Sequence, residues 1–240
     1  MAQEERLTLG EILTGLSYLT GALVFLWAAR RQNLSTEGIW TVVAVGFAAG
    51  ILGAKLTQLI AEGWPWRVSM GVALDPRNGG RALLGGVIFG WIGVVVAKKR
   101  LGIRRPTGDL FALALPAGEA VGRLGCYFNG CCYGERCDMP WAVWQHGAYR
   151  HPAQLYSAAV AVSLFGFLLW LRPRLTREGD LFKAYLVAFG VTRFGLEFVR
   201  WRETLVYGLS PMQWFCLELV LGVAAAVFWR WRREAIACRI

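Results

Sequence analysis

The chain has 240 residues and 56% of them are apolar, with a mean hydropathy of +0.42. A soluble domain of this size is less apolar. The formal net charge of +10 would suit nucleic acid, but the basic residues alternate with apolar blocks instead of clustering on one face, so no nucleic-acid partner is expected.

Crossing a bilayer takes about 20 residues of helix, and seven blocks approach that length. The first, 9–29, follows Glu4 and Glu5 rather than a basic region, which predicts a span and not a cleaved leader. The second, 38–61, carries Lys55; the third, 82–97, is short and opens on Gly85 and Gly86, with Gly79 and Gly80 just before it. Glycine lets a lipid head or a second helix come close, and tight helix packing by small residues is the competing reading. The fourth block, 108–125, contains Glu119 and Arg123. After the fifth, 153–171, the sixth, 180–200, carries Arg193, Glu197 and Arg200 at spacings of four and three, which predicts one shared helical face. The seventh covers 210–229.

Basic residues follow alternate blocks: Arg30 and Arg31; Lys98, Lys99, Arg100, Arg104 and Arg105; Arg172, Arg174 and Arg177; Arg230, Arg232, Arg233 and Arg239. By the positive-inside rule this predicts an all-α membrane protein of about seven transmembrane helices, N-terminus outside and C-terminus cytoplasmic, with 1–240 as a single integral membrane domain. The segments 62–81 and 123–152 then lie outside, and Trp64, Trp66, Trp141 and Trp144 suit the membrane–water interface.

Ionisable groups within spans are costly and mark candidate sites. Arg193 and Glu197 pair, which offsets part of the cost, and a simple packing ion pair is the competing reading. Arg123 and Arg200 could reach the interface as ordinary snorkelling side chains. Several guanidiniums converging from different spans would instead make an anion site, since their fork matches phosphate. Arg150 and His151 enter from the loop before the fifth block. Cys126, Cys131, Cys132 and Cys137 crowd that same loop. A disulfide suits the outer compartment, small packing thiols are a second reading, and zinc is a third. The C-x4-C-C-x4-C spacing lacks the usual short ligand pairs, so no metal is expected.

These segments resemble the prolipoprotein diacylglyceryl transferases. The stretch 122–134, GRLGCYFNGCCYG, resembles that family's Gly-Arg-x-x-Asn-x-x-Asn-x-Glu-x-x-Gly signature. RHPAQLY at 150–156 resembles its Arg-His-Pro-x-Gln-Leu-Tyr, and GVTRFGLEFVR at 190–200 its Arg-x-x-x-Glu-x-x-Arg span. NGGRALLGG at 78–86 is similar to its Asp-Gly-Gly-x-Ser-x-His-Gly-Gly, and 15–31 fits its first span.

The resemblance implies transfer of a diacylglyceryl group from phosphatidylglycerol to the lipobox cysteine thiol of a prolipoprotein, releasing glycerol phosphate. It implies a multi-pass protein of the bacterial plasma (inner) membrane, with membrane lipid and the prolipoprotein signal peptide as partners and no cofactor. Arg123 and Arg193 match the family's headgroup and catalytic arginines. Asn129, Gly134, Glu197 and Arg200 match its supporting positions, with Arg150, Gly85 and Gly86 as further substrate contacts. Four positions depart: Leu84 stands for the family's His, Cys126 for its first signature Asn, Cys131 for its signature Glu, and Thr14 for a first-span Tyr. Leucine takes no proton, so His151 is the expected proton-transfer group, ahead of Glu119 or Glu197. A non-enzymatic lipid-binding or translocating protein, a transferase with another acceptor, and a membrane thiol or metal protein are the alternatives.

Overall fold

A computed structural model describes residues 8–32, 36–61, 83–103, 107–201 and 205–237. Each apolar block forms one α-helix: α1 Leu9–Arg30, α2 Thr36–Ala61, α3 Leu83–Arg100, α4 Gly108–Phe128, α5 Ala153–Leu171, α6 Asp180–Leu196 and α7 Pro211–Ala237. Between α4 and α5 stands a hairpin, β1 Val143–Gln145 and β2 Ala148–Arg150, paired antiparallel. The chain divides into two compact units, Leu26–Arg105 and the remainder, with the boundary inside α1.

Among the described residues, four helical stretches are long and apolar enough to cross a membrane: Leu9–Arg30, Gly38–Thr57, Ala153–Arg174 and Pro211–Ile236. Only 11% to 33% of their most apolar windows is buried within the protein. So much apolar surface on a soluble protein would aggregate; lipid is the solvent that fits it. The other three helices fall short because α6 has 17 residues, α3 ends in Lys98, Lys99 and Arg100, and α4 carries Asp109, Glu119 and Arg123.

In the unit Leu26–Arg105, α2 and α3 pack through glycines. A Cβ at Gly93 would lie 2.7 Å from the Ala49 side chain, and one at Gly85 would collide with Thr57. Lipid tails are as apolar as leucine, so close backbone approach and dispersion supply the attraction here.

In the other unit, α4 is the centre, packed on α5 and α6, with α7 against α6. Small residues let α1 cross α4: a Cβ at Gly118 would lie 2.9 Å from the Ser17 carbonyl oxygen, and one at Gly125 2.9 Å from Thr14 Oγ1. Asp109 fixes the depth of α6 against α4. Its carboxylate accepts hydrogen bonds from the backbone N–H groups of Gly179 (2.8 Å) and Phe182 (2.9 Å), so a side chain of one helix satisfies the free donors of another. At 1.5 Å per residue, Arg123 lies about 21 Å along α4 from that pin, and Arg193 about 20 Å along α6 from Asp180. The two arginines are thereby set at one level of the bundle.

Candidate active site

α4 ends in a Schellman turn. The N–H of Cys131 donates to the Cys126 carbonyl (3.1 Å) and that of Gly130 to the Tyr127 carbonyl (3.2 Å), with Gly130 at φ +65° where a side chain would be strained. Asn129 is the exposed cap of this helix, and its side chain sits directly against Gly10 of α1.

The chain then runs as an extended segment, 133–137, between two others. Trp201 N–H donates to the Tyr133 carbonyl (3.2 Å) and Glu135 N–H to the Val199 carbonyl (3.0 Å) on one side. His151 N–H donates to the Glu135 carbonyl (3.0 Å) and Cys137 N–H to the Tyr149 carbonyl (3.1 Å) on the other. The result is a small platform at the ends of α4 and α6. Gly134 is its tightest point, since an added Cβ would lie 2.7 Å from both the His151 side chain and the Val199 carbonyl oxygen.

Arg150 locks the platform from beneath. It is 5% exposed, donates from Nε to the Gln145 carbonyl (3.1 Å) and from Nη1 to the Gly134 carbonyl (3.2 Å), and stacks over Tyr133 and Trp201 at 4.7 and 5.2 Å. His151 lies beside Gly134, with Nδ1 3.4 Å from the Tyr156 hydroxyl, which accepts from Trp141 Nε1 at 2.6 Å. His146, at the hairpin tip with φ +49°, bonds the Gly130 carbonyl through Nε2 (2.6 Å) and stacks on Tyr133.

Three arginines share this region. Arg123 donates to Glu119 Oε1 from Nε (3.0 Å) and Nη2 (2.7 Å), an i,i+4 pair on α4. Arg193 and Glu197 form a second pair at 3.2 Å, both more than nine-tenths buried. Ser210 Oγ donates to the other Glu197 oxygen at 3.2 Å. Arg193 Nη1 is buried with no hydrogen-bond partner among the described residues, an uncommon and costly state for a charged donor. Arg193 interacts electrostatically with Arg123, Arg200, Glu119 and Glu197. Three cations thus face two carboxylates, and the surplus is positive.

Arg200 departs from the expectation of a shared helical face. α6 ends at Leu196, a 3-10 turn covers Glu197–Val199, and Arg200 is extended at φ −89° and ψ 148°. Its backbone bridges Gly134. Pairing with the platform satisfies backbone groups that a helix end would leave free. Arg200 still joins the site through the platform.

Gly85 and Gly86 belong to the unit Leu26–Arg105, where both pack against α2. The 62–81 loop, including Gly79 and Gly80, and the Leu84 side chain lie outside the described residues.

Cys126, Cys131, Cys132, Cys137 and Cys216 are free thiols, so the expected stapling disulfide is absent among them. The Sγ atoms of the first three lie within 4.8 Å of one another. The Arg200 and Arg123 charges act on the Cys132 thiol.

Sequence reasoning passed over two buried glutamines. Gln154 donates to the Cys131 carbonyl (2.8 Å). Gln213 closes a capping box with Ser210: Ser210 N–H donates to Gln213 Oε1 (2.9 Å) and Gln213 N–H to Ser210 Oγ (3.2 Å). The Ser-Pro-Met-Gln run at 210–213, with proline at the first helical position, is a readable signal for the second.

The family profile described as prolipoprotein diacylglyceryl transferase matches residues 12–229. Curated relatives named phosphatidylglycerol–prolipoprotein diacylglyceryl transferase include one from Cupriavidus necator, 33% identical over 92% of this chain and 88% of its own length. Another, from Actinobacillus pleuropneumoniae, is 30% identical over 92% and 89%. A third, from Finegoldia magna, is 28% identical over 88% and 86%.

Proposed function

Because the chain belongs to the prolipoprotein diacylglyceryl transferase family, we propose that it moves a diacylglyceryl group from phosphatidylglycerol to the lipobox cysteine thiol of a prolipoprotein. The carrying observation is the buried Arg193, with Nη1 unpartnered, at the level of Arg123 in a region of surplus positive charge.

In the reaction the substrate sulfur attacks the glycerol carbon that bears the phosphate. A C–S bond forms, the C–O bond breaks, and glycerol phosphate leaves with the electron pair. The phosphate gains negative charge as it departs, so cations placed around it lower the barrier. Arg123 and Arg193 take that role. Glu119 and Glu197 hold their guanidiniums in fixed orientation, and Arg200 adds charge from the platform. The same cationic surround favours the thiolate of the incoming cysteine.

The thiol proton needs an acceptor, and His151 is the proposed one. Its Cβ and backbone lie against Gly134, and its ring Nδ1 is 3.4 Å from the Tyr156 hydroxyl. Arg150 acts as a positioning residue, since its guanidinium holds the Gly134 and Gln145 carbonyls. Asn129 and Gly134 shape the rim of the site. We place Gly85 and Gly86 as backbone that lets α3 approach α2 closely. The protein spans the bacterial inner membrane seven times with its C-terminus cytoplasmic, in keeping with the basic residues after alternate helices, and the platform receives the signal peptide from the outer side.

Transfer to a lipobox peptide by full-length variants tests the assignment. Arg123→Ala and His151→Ala should each fall at least about 100-fold in transfer rate, while Cys137→Ser stays within about twofold. Full activity in Arg123→Ala removes the phosphate role; full activity in His151→Ala moves the proton acceptor elsewhere.

A further inference from the structure

We infer that Cys126, Cys131 and Cys132 form a three-thiolate site for a thiophilic d10 metal ion, Zn2+ or Cu+. The linear spacing hides this site, and the backbone builds it. In the Schellman turn that ends α4, Cys126 occupies the third residue from the helix end and Cys131 the second residue past the cap. Those are the two positions whose side chains meet in this motif. Cys131 Sγ accordingly lies 3.6 Å from the Cys126 carbonyl oxygen.

The third sulfur arrives by a second turn. Cys132 holds φ +58°, a left-handed conformation costly for a residue with a Cβ. That backbone brings its sulfur to the other two, all three within 4.8 Å. Metal–sulfur bonds of about 2.3 Å place sulfurs roughly 3.8–4.0 Å apart in tetrahedral or trigonal geometry, so closure needs shifts of about an ångström or less.

The surroundings supply the cluster with a fixing hydrogen bond and nearby positive charge. Gln154, 1% exposed, fixes the Cys131 carbonyl, as outer-shell groups do around metal ligands. The Arg200 charge acts on Cys132 and the Arg123 charge on Cys132 and Cys126, and both oppose the net negative charge of a tri-thiolate complex. Three soft sulfurs select zinc or cuprous ion over magnesium or calcium. Cys126 and Cys131 stand where the signature that this chain resembles carries Asn and Glu. The inferred site does not depend on the transfer reaction.

The full-length protein, reduced and held anaerobically in detergent, decides the matter in two arms, one with Zn2+ and one with Cu+. Residue-resolved alkylation is measured alongside bound metal after dialysis against a chelator. One equivalent is expected, with Cys126, Cys131 and Cys132 protected and Cys137 alkylated as in metal-free protein; the arm that loads names the ion. Cys131→Ser should weaken binding at least about 100-fold and Cys137→Ser by about twofold or less. Should Cys131→Ser aggregate, the protection pattern in the unaltered protein decides alone. No stoichiometric metal in either arm with the thiols reduced, or binding without protection of the three, overturns the inference.

Discussion

At the scale of single residues the account rests on Arg193. Its pairing with Glu197 followed directly from the i,i+4 spacing. Its unpartnered Nη1 did not, because that depends on what other helices fail to supply. Arg193→Ala removes the proposed phosphate contact and also leaves Glu197 buried without its cation. It should therefore lose at least about 100-fold in transfer and about 3–5 kcal/mol in stability. The double variant Arg193→Met, Glu197→Leu separates the two effects. Replacing both ions by apolar groups of similar size is often neutral for stability, so its thermal midpoint should recover while transfer stays absent. Transfer by the double variant would reduce the pair to packing. Arg193→Lys should also fail, since an ammonium cannot present a planar fork. Ser210→Ala removes both the cap of α7 and a donor to Glu197. A loss of about 0.5–2 kcal/mol in denaturant unfolding is expected, together with weaker transfer.

At the scale of elements, the seven described helices were legible because long apolar runs favour helix. The end of α6 was not. Periodicity continued the helix through Arg200, whereas the backbone leaves it at Leu196 to pair with residues 133–135. A contact between segments so far apart in sequence leaves no local trace. The cysteine loop shows the same division. Asn129–Gly130 at a helix end announces a turn, but the left-handed Cys132 that gathers the third sulfur carries no announcing residue. Gly134 is the element-scale test of the platform. Gly134→Ala places a methyl between His151 and the Val199 carbonyl, so the platform must part, at a cost of about 1–3 kcal/mol. Both stability and transfer should fall. A variant with unchanged transfer would show that the platform is not part of the site.

At the scale of the whole molecule, the exposed apolar faces of α1, α2, α5 and α7 suit lipid, and the alternating basic segments are the basis of the proposed orientation. The α6 pair Arg193 and Glu197 is buried, and α6 packs on α4, which carries Glu119 and Arg123, so this pair is kept away from hydrocarbon. The inferred orientation has a direct check. In intact spheroplasts a membrane-impermeant thiol reagent should label Cys137, in the outer loop, and leave Cys238, in the basic tail, until the membrane is opened. Labelling of Cys238 alone would invert the topology and put the arginine site on the cytoplasmic side.

The central claim is chemical, and one stoichiometric measurement addresses it. Purified full-length protein is mixed with phosphatidylglycerol vesicles and a lipobox peptide, with Arg123→Ala in parallel, and thioether product and released glycerol phosphate are counted together. The account predicts one glycerol phosphate per thioether from the unaltered protein and neither from the variant. Folded protein that binds phosphatidylglycerol and yields neither product would contradict it and leave a lipid-binding protein in place of a transferase.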